Sequence, residues 1–328
     1  MNSELQQIPT DSAASTQPNR GRGAWFLLLL ALANLMWAGQ GSAVKILEGD
    51  SSQPDRLGPI AITFLPFYVA TLLLVPLLVW RRVQDPRAVR PSRGDWWKFA
   101  VAGIGGQIVA QLGMTWGVSR SLASNAAILN LMIPIASAVL ASMMLGERLT
   151  RLRVACLAVG LVGAYILSLS DARSSAFLEG NYLVGNLLIV AGCFGSSFYN
   201  VYCKGLLARF SELDILIFSY VTASLASLPL WAIEPLNWQT LAHLMREQWL
   251  AFAFLAVCHY ELSMLLFFYV LEHVSVTAAS TSLYLVPLFG VPIAMIFAHE
   301  NVSSTAMFGT AVVLVATIAI MRYDPSAA

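Results

Sequence analysis

Ionisable side chains stand in the middle of otherwise apolar stretches of this 328-residue chain. The clearest group is His259, Tyr260 and Glu261, near the centre of the apolar run 249–271. An ionisable residue at the centre of a bilayer costs roughly 2.5–3.5 kcal/mol to insert, so such residues are candidates for function. An imidazole, a phenol and a carboxylate can exchange hydrogen bonds or protons with a polar solute. We expect these three to line a cavity; the alternative is that His259 and Glu261 are internal structural groups.

Other polar, aromatic and small residues recur at helical spacing inside similar runs. The further candidates for cavity lining are Trp37, Gly41, Lys45, Gln107, Gln111, Asn130, Asn200 and Tyr284. Several of them are spaced by four residues and therefore share one face of a helix. Lys45 lies near the outer end of its run, where its ammonium group either extends to the membrane surface or takes part in gating or substrate contact.

Two prolines lie inside apolar runs at corresponding places. Pro134 and Pro287 each remove a backbone hydrogen bond, so we expect each to kink its helix and to free the carbonyl group four residues earlier. Those carbonyl groups belong to Asn130 and Leu283. In a membrane they must find a partner within the protein or line a wet cavity, and both arrangements remain open.

Several motifs of catalysis and cofactor binding are missing from the chain. It has no G-x-x-x-x-G-K-[ST] for ATP, no H-E-x-x-H for zinc and no G-x-S-x-G for hydrolysis. The four cysteines lie in apolar runs without a C-x-x-C pair, and the net charge of +1 gives no basis for nucleic-acid binding. We expect no catalytic centre, cofactor or metal.

The composition indicates a membrane protein. Of the residues, 58% are hydrophobic and 11% are charged, whereas soluble proteins have about a quarter charged. A membrane-spanning helix needs about 20 mostly apolar residues. We predict an all-α integral membrane fold with ten transmembrane segments, numbered here in chain order: 24–46, 58–80, 97–118, 121–144, 151–169, 182–203, 213–233, 249–271, 274–298 and 303–322.

The two halves of the chain repeat each other. A shift of 153 residues places Pro134 on Pro287 and Glu147 on Glu300, inside runs of matching length. We predict a disordered cytoplasmic tail over 1–22, a first repeat over 23–170 and a second over 181–322. Each repeat has five segments, so the copies insert in opposite orientations, as in many secondary transporters. Both glutamates follow the ends of their runs, where we expect them to stabilise the turn into the next helix.

The distribution of Lys and Arg predicts the orientation. With the N-terminus inside the cell, fourteen of the nineteen lie in cytoplasmic segments and four in outside segments, and Lys45 lies within a helix. Positive residues concentrate on the cytoplasmic side of membrane proteins. We therefore expect a multi-pass protein of the cell membrane with both termini in the cytoplasm.

Three stretches resemble the EamA type of the drug/metabolite transporter superfamily. They are Trp37–Lys45, which is similar to the W-G-x-x-x-x-x-x-K segment of that family, Ser124–Ala127 leading to Pro134, and Leu145–Thr150. The resemblance covers nearly all of the chain after residue 22. One departure is Pro66, which stands where the family often has an arginine, so a substrate contact made by that arginine is not transferred.

The resemblance implies export or exchange of amino acids, metabolites or drugs. It also implies that segments 1–4 and 6–9 surround a central cavity, with segments 5 and 10 outside it. We therefore expect a secondary transporter, in the lipid bilayer, that exports a small metabolite such as an amino acid by alternating access. A membrane-embedded enzyme for a lipid-soluble substrate and a non-transporting assembly or sensor subunit are the alternatives, and a homodimer is left open.

Overall fold

The computed structural model describes residues 20–49, 57–84, 90–123, 129–147 and 180–297, together with single positions between 126 and 162 and between 308 and 315. The regular elements of this part are all helical. Its α-helices are Arg20–Ala38, Gln40–Glu48, Pro59–Gln84, Trp96–Ala100, Val109–Ser119, Met132–Leu145, Gly180–Leu207, Glu212–Ser227, Trp238–Ala242, Arg246–Ala253, Ser263–His273, Val276–Thr281 and Leu285–Phe297. Short 3₁₀ turns occupy Arg93–Asp95, Leu228–Ala232 and Ser282–Tyr284, and π-helical stretches occupy Val101–Ile108 and Phe254–Leu262.

Six helical stretches of the described chain are long and apolar enough to cross a membrane. They are Gly23–Glu48, Pro59–Gln84, Leu183–Leu207, Glu212–Ala232, Arg246–His273 and Val276–Phe297. These correspond to predicted segments 1, 2, 6, 7, 8 and 9. Segment 3 is helical from Trp96 to Ser119, and segment 4 contains a shorter apolar helix. Segments 5 and 10 lie mostly outside the described residues, so the count of ten remains a prediction.

The first helix begins slightly before the sequence analysis places it. It starts at Arg20, inside the stretch 1–22 that we predicted to be a disordered tail. The apolar run that begins at Ala24 extends by one turn in the N-terminal direction, because Arg20, Gly21 and Arg22 can continue a helix at a polar surface. Residues 1–19 lie outside the described part of the chain.

Helix packing follows a regular scheme. Segment 3 packs on segment 6 and segment 8 on segment 1; segment 4 packs on segment 6 and segment 9 on segment 1. Segment 7 packs on segment 3 and segment 2 on segment 8, while segments 2 and 7 contact each other, as do segments 4 and 9. If each of segments 1–4 is exchanged with the segment five places later, the same set of contacts between segments results.

Small residues allow segments 3 and 6 to touch through their backbones. A Cβ atom added to Gly113 would lie 2.9 Å from the Cα of Gly192, and one added to Gly117 would lie 2.8 Å from the carbonyl oxygen of Gly185. Side chains at these positions would therefore push the helices apart. This contact fixes the distance between the segments that form one wall of the protein interior.

Regular α-helix is interrupted just before both predicted kink prolines. In segment 4 the helix begins again at Met132, so Pro134 falls in its first turn, where a missing N–H is tolerated. Pro287 likewise falls in the first turn of Leu285–Phe297, after a 3₁₀ turn. Of the two arrangements left open for the Asn130 carbonyl, the structure shows a partner within the protein, because that group accepts a hydrogen bond of 2.9 Å from the N–H of Ile133.

Side chains of segment 6 bind two other carbonyl groups at the interruption of segment 4. The thiol of Cys193 donates to the carbonyl oxygen of Leu129 at 3.3 Å, and the hydroxyl of Ser197 donates to that of Ile133 at 3.0 Å. Irregular backbone within a membrane requires such partners. The interruption is thus supported by the neighbouring segment of the other half of the chain.

Candidate functional site

A central cavity lies among segments 1, 3, 4, 6, 8 and 9. Its empty space is about 570 Å³, counted with its opening. Its lining combines amides, hydroxyls, an indole, an imidazole and apolar side chains: Trp37, Gln40, Gln107, Ala110, Gln111, Met114, Asn130, Ile133, Ser196, Tyr199, Asn200, His259, Met264, Leu283 and Val286. Polar groups in the interior of so apolar a protein mark a place for binding.

Three glutamine amides form a chain along one wall of the cavity. The Nε2 of Gln40 donates to the Oε1 of Gln111 at 3.2 Å, and the Nε2 of Gln111 donates to the Oε1 of Gln107 at 3.1 Å. The pair at 107 and 111 shares a helix face, as the spacing of four residues predicted, and all three side chains are buried. The chain joins segments 1 and 3 and presents amide groups to the interior.

The lining also includes Asn200 and Asn130. Asn200 is buried on segment 6, and Asn130 lies at the interruption of segment 4, where its Oδ1 is 3.8 Å from the thiol sulfur of Cys193. Trp37 closes the cavity beside segment 8, since its ring packs edge-on against Phe267 with centroids 5.1 Å apart. The structure thus brings together polar residues that the sequence analysis had placed on three separate segments.

His259 enters the cavity from segment 8. Its side chain is buried, with 3% exposure, and its ring packs edge-on against that of Tyr260 with centroids 4.7 Å apart. Neither of its ring nitrogens has a hydrogen-bond partner among the described residues. A buried polar group in this condition is uncommon and requires an explanation.

Two π-helical stretches position Gln107 and His259. They begin at Val101 and Phe254, which are 153 residues apart, the same shift that relates the two predicted repeats. A π-helical turn widens a helix and changes the direction of the side chains that follow it, and such turns are frequent at functional sites. Each half of the chain therefore sends one polar side chain into the cavity from a widened helix.

Several predicted lining residues lie elsewhere in the structure. Gly41 packs on Ala123, because a Cβ added to it would lie 3.1 Å from the Cβ of that residue. Lys45 pairs with Glu48 at 3.4 Å near the end of segment 1. Both positions share the helix face of Trp37, but neither is part of the cavity lining. A shared helix face was therefore not enough to predict that they line the cavity.

Tyr260, Tyr284 and Glu261 are also absent from the cavity lining. Tyr260 is buried, and its carbonyl oxygen accepts a hydrogen bond of 2.7 Å from the hydroxyl of Tyr220 in segment 7. Tyr284 is buried within segment 9. Glu261 is half-buried on another face of segment 8 from His259, which corrects the expectation that it faces this cavity. Consecutive residues on a helix point in different directions, and of these three polar neighbours only His259 is part of the cavity lining.

Glu147 lies at an end of segment 4 and contacts the start of segment 9. Its Oε1 accepts a hydrogen bond of 2.8 Å from the N–H of Val276, and its Oε2 accepts one of 2.7 Å from the hydroxyl of Thr277. A carboxylate at a helix N-terminus satisfies free N–H groups and interacts favourably with the helix dipole. Glu300, its partner in the repeat, lies outside the described residues.

The sequence analysis did not propose Gln40, Met114 or Met264 as lining residues. Gln40 carried a signal, because an amide inside an apolar run is costly unless it has a partner. The two methionines could not be identified from the sequence, because a methionine in a membrane segment is as typical of the packed core as of a cavity lining. Their flexible thioether side chains can adapt to solutes of different shape.

The cavity is built for hydrogen bonding. Its described lining contains no aspartate, glutamate, lysine or arginine, and no pair of a nucleophile with a general base. The described residues also contain no cluster of histidine, cysteine, aspartate and glutamate that could hold a metal ion. Amides and an imidazole around this space can bind and release a polar solute.

A comparison with protein families decides the affiliation of the chain. The model of the EamA-like transporter family matches residues 24–169 and, a second time, residues 183–322. The chain belongs to the EamA-like transporter family. It is therefore a multi-pass membrane protein of a transporter family, as the resemblance of its motifs predicted. Each of the two matches in this EamA-like transporter covers one of the predicted repeats.

This EamA-like transporter is similar to two curated relatives over nearly their whole length. It is 24% identical over 301 residues to a probable terminal-alkyne amino-acid exporter of Streptantibioticus cattleyicolor, covering 92% of this chain and 94% of the relative. It is 22% identical over 298 residues to an uncharacterized transporter of Archaeoglobus fulgidus, covering 89% and 94%. A solved crystal structure matches with a TM-score of 0.69 at 20% identity, covering 92% of this chain and 98% of that one, which shows a shared fold.

Proposed function

We propose that this chain is a secondary transporter that moves a small polar metabolite, such as an amino acid or a related compound, out of the cell. The observation that carries the proposal is the central cavity, which is lined by polar side chains from both halves of an apolar helical protein. Segments 1, 3 and 4 contribute from the first half, and segments 6, 8 and 9 from the second. Transporters with inverted repeats bind their substrates at such an interface.

Alternating access is the mechanism that this arrangement supports best. The packing scheme is unchanged when the halves are exchanged, the two π-helical stretches begin 153 residues apart, and the family model matches each half once. These observations favour two inverted repeats of five helices. Two copies of one unit that face opposite sides of the membrane can exchange their conformations, and this would expose the cavity to each side in turn.

Contacts at the ends of the segments provide candidates for the two gates. In the proposed topology the contact of Glu147 with Val276 lies at the cytoplasmic side. The contact of Glu234 with Ile60, described in the Discussion, lies at the outer side. We propose that the protein sits in the cell membrane with both termini in the cytoplasm, so that opening of the outer contact releases solute from the cell.

The class of solute follows from the lining and from one relative. The name of the Streptantibioticus relative attributes export of an amino acid to that protein. Amides beside the indole of Trp37 and two methionines suit a solute that has a polar head and an apolar part.

Transport into sealed vesicles tests the proposal. Purified protein in proteoliposomes should take up members of a mixed pool of metabolites, identified by mass spectrometry, while empty liposomes from the same lipid should not. Release of the accumulated solute on permeabilising the vesicles separates transport from surface binding. Failure to accumulate any member of a pool that contains all common amino acids would contradict the proposal.

A further inference from the structure

The central cavity offers no counter-charge to an ion. None of its described lining residues carries a formal charge. The two nearest lysines along the lining helices are engaged elsewhere: Lys45 pairs with Glu48 at 3.4 Å. The Nζ of Lys204 donates to the carbonyl oxygens of Leu271 and Glu272 at 2.6 and 3.1 Å, at the end of segment 8. A solute with a net charge would lose its hydration there without gaining an ion pair, which is strongly unfavourable.

The chain of three amides has an acceptor at one end and a donor at the other. In the observed orientation, the Oε1 of Gln40 is the terminal acceptor and the Nε2 of Gln107 is the terminal donor. The side chain of Gln107 also hydrogen-bonds Tyr199, and the second N–H of its amide group is left for a solute. Reversing the amides reverses the direction of the chain, yet one end still donates and the other accepts. The wall is therefore matched to a solute that has both kinds of group, whichever orientation the amides adopt.

His259 adds a second donor and acceptor pair. A neutral imidazole has one nitrogen that donates and one that accepts, and both nitrogens of His259 lack a partner in the described chain. Leaving them so in the interior costs stability. A histidine that served as structural glue would have a protein partner for at least one nitrogen. This one lies in the cavity lining, where a bound solute can supply both partners.

We infer that the central cavity selects a solute without net charge that carries both hydrogen-bond donors and acceptors, and that His259 determines specificity by hydrogen bonding to it. The inference rests on the transport function proposed above and narrows its substrate class. Uncharged polar compounds belong to this class, and so do zwitterions, because the ammonium and carboxylate groups of a zwitterion are each other's counter-charge and need none from the cavity. Compounds with a net negative or positive charge do not, even when their shapes are the same.

Matched pairs of labelled solutes test the charge rule. Proteoliposomes with wild-type protein are offered L-glutamine, L-glutamate, L-lysine, nicotinamide and nicotinate at equal concentrations. If the amino acids are exchanged, we expect glutamine to be exchanged at least tenfold faster than glutamate or lysine. If the pyridines are exchanged, we expect nicotinamide to be exchanged at least tenfold faster than nicotinate. Exchange of a charged member as fast as its neutral partner would overturn the inference. Failure of every member in vesicles that accumulate no metabolite at all would contradict the transport proposal instead.

A charge placed in the lining gives a second test of the same rule. Gln111→Glu introduces a carboxylate at the centre of the amide chain, and we expect it to shift the preference from glutamine towards lysine by at least tenfold. The control is Gln111→Leu, which removes the amide without adding charge and should lower exchange of all members alike. An unchanged preference in folded Gln111→Glu would overturn the charge rule.

His259 is tested by two variants and two readouts. His259→Gln keeps a donor and an acceptor, so its KM for a transported solute should remain within about threefold of wild type. His259→Phe removes both, so its KM should rise about tenfold or more, while its melting temperature in detergent equals or exceeds that of wild type. A clear fall in the melting temperature of His259→Phe would identify His259 as a structural group and overturn its assigned role, with or without a transport signal.

Discussion

The carboxylate of Glu234 accepts a hydrogen bond of 3.1 Å from the backbone N–H of Ile60, 174 positions earlier in the chain. The same Oε1 accepts one of 3.2 Å from the N–H of Ala61. Gly58 makes this approach possible, because a Cβ at that position would overlap the carboxylate. The end of segment 7 thereby caps the start of segment 2. At their other ends the same segments are joined by the ion pair of Arg81 with Glu212, at 2.8 Å.

Loss of the Glu234 carboxylate should weaken the contact between segments 2 and 7. Glu234→Ala leaves two N–H groups at the helix start without an acceptor, and we expect a destabilisation of about 1–2 kcal/mol. Glu234→Gln keeps one acceptor oxygen and should lose less. Thermal unfolding in detergent measures both, with Glu272→Ala as the control for an exposed glutamate. Equal melting temperatures for Glu234→Ala and the control would show that the contact does not stabilise the fold.

Asp95 should make stability depend on pH. Hydrogen bonds from the ammonium group of Lys98 at 2.8 Å and from the hydroxyl and N–H of Ser92, together with the charge of Arg209, hold the pKa of Asp95 well below its ordinary value of 3.8. A carboxylate with a lowered pKa stabilises the folded state above its ordinary pKa, and this contribution is lost as the pH falls further towards the folded value.

The comparison of wild type with Asp95→Asn measures this effect. We expect the variant to unfold at a lower temperature at pH 7 and at pH 5, because both values lie above 3.8 and the wild-type carboxylate is ionised there. The difference should narrow when unfolding is repeated at about pH 3.5 and below. A difference that stays constant over the whole range would contradict an ionic origin.

The sequence predicted the helical class and the six long apolar helices of the described chain, because apolar runs bounded by charged loops have few alternatives in a membrane. Six of the candidate residues lie in the lining of one cavity, namely Trp37, Gln107, Gln111, Asn130, Asn200 and His259, and their contact with a solute stays a prediction. For these positions, the depth within the apolar run and the face of the helix were enough to predict a place in the protein interior.

The remaining site residues depended on features that a sequence does not display. The π-helical stretch over Phe254–Leu262 changes the direction of side chains locally. The side-chain directions of a regular α-helix therefore do not predict that His259 lines the cavity while Glu261 does not. The contact of Gly41 with Ala123 depends on how closely segments 1 and 4 approach. The accepting carboxylate of Glu234 and the donating N–H of Ile60 meet only after the whole bundle has formed.

Glu261 should not contribute to solute affinity. Its half-buried side chain lies outside the cavity lining, so Glu261→Gln should leave the KM for a transported solute within about twofold of wild type. Whether a proton bound there drives transport is a separate question, answered by comparing uptake with and without a pH gradient. Loss of pH-driven uptake with normal exchange would identify Glu261 as a coupling site; a large rise in KM would contradict its placement.

The orientation can be tested with single cysteines in a background without the native cysteines. Cysteines at positions 87 and 151 should be protected from a membrane-impermeant thiol reagent added to intact cells, and one at position 173 should react, because the distribution of Lys and Arg places the first two inside. Permeabilised cells serve as the control for reactivity. Reaction at position 87 in intact cells would overturn the proposed topology.

Blocking the central cavity tests the account most directly. Asn200→Trp places a large side chain in the space between the two halves, whereas Leu72→Trp adds the same group at a position on segment 2 that is 69% exposed. Equilibrium exchange of a transported solute is measured for both variants in proteoliposomes, after size-exclusion profiles confirm that both are folded. We predict that exchange is abolished by Asn200→Trp and retained by Leu72→Trp. Undiminished exchange through folded Asn200→Trp would contradict passage of the solute through this cavity.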